Sequence, residues 1–80
     1  MRPLQPAPAC DFSANLRAER ARAGLTQAEL AERAGLNPAS IGSYERGVTK
    51  PQIDTLCRIA SALGVEPSLL LPSLEVSSAA

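Results

Sequence analysis

The chain has 80 residues, 45 % hydrophobic but only 2 % aromatic, so a single small domain must fill its interior with Leu, Ile, Val and Ala around Phe12 and Tyr44. Eight basic residues balance eight acidic ones with no histidine. The missing basic surplus weighs against a nucleic-acid partner unless Lys and Arg gather on one face.

Residues 1–10 carry Pro3, Pro6 and Pro8, too many for a helix, and read as a flexible arm. Asp11 then caps a first helix, with Phe12 and Leu16 spaced by four and Gly24 closing it. Thr26 and Glu29 have the spacing of a capping box, in which a hydroxyl takes one backbone donor and a carboxylate reaches back to another. A second helix therefore begins at Gln27 and ends at Gly35. Asn37 caps a third, with Pro38 at the first position, where a missing N–H costs nothing, and Gly47 stops it.

The link between the second and third helices, "AGLN", only turns the chain sharply. The two helices must cross steeply and share a core through Leu30, Ala34, Leu36 and Ile41, with the small Ala31 at their closest approach. That arrangement is a helix-turn-helix. After "VTKPQ", a fourth helix shows one apolar stripe of Ile53, Leu56, Ala60 and Leu63 and ends at Gly64. Pro67 opens a short fifth turn through Ser68, Leu69 and Leu70. No segment alternates with period two. The expectation is an all-α fold, a compact bundle of four to five short helices spanning residues 11–71 with a tail over 72–80.

The stretch "LRAERARAGLTQAELAERAGLNPASIGSYERG", followed by "KP" and "LCRIASALGV", resembles the Cro and phage-repressor type of helix-turn-helix domain, also called the XRE family. The resemblance runs from about Leu16 to Leu71, with its anchors in order. It implies a lambda-repressor-like bundle whose third helix enters the DNA major groove, as a homodimer on an inverted repeat. Carried over residue by residue, Gln27 would hold a phosphate at the start of the second helix. Asn37 would cap the third helix and touch the backbone, and Arg46, Thr49 and Lys50 would approach phosphates beyond its end. Pro38, Ala39, Gly42 and Ser43 would face base edges. Arg20 and Glu45 match a partly buried ion pair tying the first helix to the third.

The base-facing set is bland: Ala39 offers a methyl, Ser43 one hydrogen bond, and Gly42 a close backbone approach, so specificity should lean on operator shape. The same small residues suit a non-catalytic interaction module, an antitoxin or adaptor. Catalysis finds no footing, because there is no histidine, no activated cysteine and no phosphate-cradling loop. No cofactor, metal or small-molecule-sensing domain is expected.

Cys10 and Cys57 lack disulfide-framework or zinc spacing, and no segment resembles a secretion signal or a bilayer span, which points to the cytoplasm. The apolar cluster of Leu69, Leu70, Leu71, Leu74 and Val76 exceeds what a short cap needs and is a candidate dimer contact.

Overall fold

The computed structural model describes residues 11–71. The expected arm, the tail with Leu74 and Val76, and Cys10 lie outside the described residues. The elements run α1 (Phe12–Ala23), α2 (Gln27–Ala34), α3 (Pro38–Glu45), α4 (Ile53–Leu63) and α5 (Pro67–Leu70), with no strand among the described residues. None of these helices is long and apolar enough to cross a membrane.

Local chemistry sets the boundaries. The Asp11 carboxylate accepts from the N–H groups of Ser13 and Ala14 and thereby starts α1. At α2, Thr26 Oγ1 accepts from the Glu29 N–H at 3.0 Å while Glu29 Oε1 accepts from the Thr26 N–H at 2.8 Å, closing the capping box in both directions. Asn37 Oδ1 accepts from the Ala39 N–H at 2.8 Å, and Pro38 follows at the first helical position. Gly35 takes φ 72° and donates back to the last carbonyls of α2, and Leu36 N–H reaches the Ala31 carbonyl at 2.8 Å. Only a glycine holds that left-handed turn without strain, and it is what brings α3 across α2 within three residues.

Every helix sends at least one fully buried side chain inward: Leu16, Leu30, Ile41, Leu56 and Ile59, and Leu70. Each such burial is worth about 1.5–3 kcal/mol in apolar transfer. Ala31 is fully buried, and Ala34 nearly so, at the α2–α3 crossing, while Leu36 packs against the core from its edge. Phe12 and Tyr44 meet edge to face at 6.2 Å, joining the start of α1 to the end of α3.

The stripe expected on α4 needs correction. Ile53 is 57 % exposed, and the inward positions are Leu56, Ile59 and Ala60, with Leu63 half-buried. Ile53 points in the same angular direction as Leu56, three residues on, but it sits at the first position of α4, where nothing covers it.

Candidate nucleic-acid interface

The inner edge of α3 is fixed by one carboxylate. Glu45, 4 % exposed, receives Arg20 Nε at 2.5 Å on Oε2 and Arg20 Nη2 at 3.0 Å on Oε1, a two-point fork from α1. Arg20 also donates to the Leu25 carbonyl at 2.9 Å, so the same guanidinium pins the α1–α2 connection. Arg17 donates to the Glu45 carbonyl oxygen. Burial pushes the Glu45 carboxyl up, but the bonds from Arg20 and Gln27 outweigh it and hold the group below its usual range. Its bond to Glu45 pushes the Arg20 guanidinium up in turn.

Gln27, at the first position of α2, belongs to this junction. Its Nε2 donates to Glu45 Oε1 at 2.9 Å, so the side chain expected at a phosphate is tied to the start of the α1–α2–α3 lock. With the amide N–H turned to the carboxylate, the amide oxygen faces α3. A methyl group placed at Gly42 would lie 3.4 Å from that oxygen and 3.2 Å from Arg46 Nη1. Gly42 is thus buried beneath the side chains of Gln27 and Arg46, where an outward-facing backbone was expected.

The outer edge is open. Asn37, Pro38 and Ala39 are exposed at the amino end of α3, and Arg46, Thr49 and Lys50 are exposed at the other end. Ser43, half-buried, pairs its hydroxyl with that of Thr49 at 3.0 Å, bringing the helix and the following loop together. Among the described residues neither the Arg46 nor the Lys50 side chain forms a hydrogen bond or ion pair, although the Arg46 backbone N–H donates to the Gly42 carbonyl at 3.0 Å. One carboxylate shares this side. Asp11 lines a shallow groove with Ser13, Tyr44, Thr49 and Lys50, and its carboxyl is held below the usual range, first by the Ser13 hydroxyl.

Two residues that sequence reasoning passed over carry polar structure. Glu19 continues the Phe12–Leu16 stripe of α1 at the next turn and is 8 % exposed, with Arg22 Nη2 at 3.4 Å as its ion-pair partner. Helical spacing pointed at that position, but a carboxylate there does not read as core. Arg58 on α4 donates from Nε to the Ala34 carbonyl at 3.2 Å and from Nη2 to the Gly35 carbonyl at 2.9 Å, closing the end of α2 that the turn leaves open. No local pattern announces a cap supplied from more than twenty residues away.

A helix-turn-helix family signature matches residues 16–70. A transcriptional regulator of the helix-turn-helix type from Mycobacterium tuberculosis, Rv0474, is 38 % identical over 55 residues, covering 69 % of this chain and 39 % of its own length. The chain thus spans about two fifths of the curated relatives it first matches. The restriction-modification controller protein C.AhdI from Aeromonas hydrophila superposes with TM-score 0.74 and 34 % identity, over 78 % of this chain and 94 % of that one. The P22 c2 repressor, solved in complex with a synthetic operator, superposes with TM-score 0.71 and 30 % identity, over 75 % of this chain and 91 % of that one.

Proposed function

The chain belongs to the helix-turn-helix family of Cro and phage-repressor type, and on that premise we propose that it is a sequence-specific DNA-binding transcriptional regulator. It acts without catalysis in the cytoplasm, as a repressor or autoregulator that occupies an inverted-repeat operator. The observation that carries this reading is the asymmetry of charge around α3: its one carboxylate, Glu45, is buried and neutralised, while Arg46 and Lys50, just past its carboxy end, stand exposed with their side chains unpaired among the described residues. The operator complex of the similar P22 c2 repressor supports it.

In the proposed complex α3 lies in the major groove. Ala39 and Pro38 approach the bases closely because they are small, and Gly42 keeps the middle of the helix slim. Gln27 and Asn37 serve phosphates from the amino ends of α2 and α3, where uncommitted backbone donors attract anions. Thr49 and Lys50 meet the phosphates that follow, Ser43 is shared between base edge and Thr49, and Arg46 adds charge on the same face. A single recognition helix spans only a few base pairs, so two copies bind half-sites about 34 Å apart. The second copy docks on α5, where Leu69 is 47 % exposed beside the fully buried Leu70.

Gel shift of the whole protein on the DNA upstream of its own coding region, across a salt series, tests the reading. Affinity should fall steeply with salt, and Lys50→Ala should reduce the log–log salt slope by about one unit, the signature of one lost phosphate contact. Absence of binding at low salt, or binding indifferent to salt and to Lys50→Ala, replaces this reading with that of a protein-interaction adaptor.

A further inference from the structure

The sequence places Arg46 after the last residue of α3, where a phosphate would be its natural target. The structure folds its side chain back. Arg46 Nη1 lies over Gly42, one helical turn earlier, at the point where a methyl group on residue 42 would meet it at 3.2 Å. Gly42 is buried because exposed side chains, Arg46 and Gln27, cover it. The guanidinium therefore occupies the middle of the helix face, between Ala39 and the helix end.

Four neighbours explain why this group has a reading role available to it. Pro38 and Ala39 carry no hydrogen-bonding side chain, and the Ser43 hydroxyl is engaged with Thr49. Gln27 has its amide N–H committed to Glu45, which leaves its oxygen, 3.4 Å from the same point over Gly42, facing the guanidinium's side of the helix. An acceptor beside a planar five-donor fork biases its orientation, and the small residues around it let a duplex approach within its reach.

We infer that Arg46, seated on Gly42 and flanked by the Gln27 amide oxygen, is a specificity-determining residue that reads a guanine edge in each half-site through its paired donors. The inference rests on the DNA-binding reading above and sharpens it: direct readout resides in a side chain from the end of α3 held over a glycine in its middle. A fork on guanine O6 and N7 discriminates against a wrong base by about 5-fold to 150-fold.

The test is selection of binding sites from a randomised duplex pool with the whole protein, followed by binding to the selected site with single guanines replaced by 7-deazaguanine, which lacks the N7 acceptor. One such replacement should weaken the wild type by about ten-fold while leaving Arg46→Ala nearly unchanged, because the partner group is already gone. Gly42→Leu, which fills the seat, should lose the same preference with Arg46 still present; thermal melting reports whether each variant is folded. Arg46→Ala weakening all duplexes alike, with the selected motif intact and the salt slope down by about one unit, would make Arg46 a phosphate contact and overturn the inference alone. A selected motif without a guanine in its half-site would do the same. Failure of the wild type to enrich any motif would sink the DNA-binding reading itself, and this inference with it.

Discussion

α3 and the five residues that follow it put their two sides to opposite uses. On the inner edge Glu45 takes two donors from Arg20 and one from Gln27, and the backbone carbonyl of the same residue takes Arg17, so three elements converge on one buried group. On the outer side, just past the helix end, the Arg46 and Lys50 side chains have no hydrogen-bond or ion-pair partner among the described residues, and the first turn is stripped to Pro38 and Ala39. Net charge is blind to this difference. The overall balance of eight against eight conceals that an acid on α3 is spent inside while the bases beside it face out. What bears on a phosphate backbone is the exposed remainder after internal pairing, and here that remainder is positive just beyond the carboxy end of α3, at Arg46 and Lys50.

The comparison breaks first at Glu45. Glu45→Gln should destabilise the fold by about 3 kcal/mol in urea unfolding, the low end for a buried pair because Arg20 keeps the Leu25 carbonyl and its side chain is 22 % exposed. Arg46→Ala, one residue later but on the outer edge, should change stability by less than about 0.5 kcal/mol. Equal losses at both positions would erase the distinction between the edges. Acidity sharpens it. The folded carboxyl of Glu45 sits below its ordinary value of 4.5, so its contribution is complete above that pH and disappears as pH falls through the lower, folded value. The wild type should therefore lose stability on acidification, and Glu45→Gln should flatten that slope.

Much of the inner architecture is legible from local chemistry. Asp11, Thr26 with Glu29, and Asn37 with Pro38 are caps whose partners lie two or three residues away, so the starts of α1, α2 and α3 follow from short strings. The fold class and the position of the sharp turn follow from them. Periodicity does less well because it gives direction and not depth: it assigned Ile53 to the core, where the end of α4 overhangs, and it missed Ile59 and the buried Glu19. The candidate site was read as a set of residues, and its arrangement was not. That Gln27 turns its amide to Glu45, that Arg46 lies back over Gly42, and that Arg58 reaches α2 are tertiary facts, and no spacing rule encodes them.

Arg58 extends the contrast to the helix that precedes the turn. Two donors on the last carbonyls of α2 stabilise the negative end of the helix dipole and hold the turn into α3. Arg58→Ala should lower stability by about 1 kcal/mol, less than the Glu45 change because the side chain is exposed and water can replace its bonds. Hydrogen exchange at Leu36, whose N–H closes the turn on the Ala31 carbonyl, should quicken in the same variant. Unchanged exchange there would mean the glycine turn holds α3 in place unaided.

The smallest effect belongs to Gly42, where two terms oppose each other. Its φ is helical, outside the left-handed set formed by Gly24, Gly35, Gly47 and Gly64, so replacing it with alanine gains up to about 1 kcal/mol of helix propensity. Against that, the new methyl would press on Arg46 Nη1 at 3.2 Å and Gln27 Oε1 at 3.4 Å. Both are the far ends of flexible side chains, which yield by a few tenths of an ångström, so the helix term wins and Gly42→Ala should raise the melting temperature slightly. The shift falls on Arg46 and on the Gln27 amide, while the Arg20 fork on Glu45 is untouched. The Glu45 lock stays intact, and a gain in stability accompanied by weaker guanine preference would separate the two edges in one substitution. A loss of stability would instead mean that the seat over residue 42 is part of the inner architecture, and that the helix tolerates no side chain there.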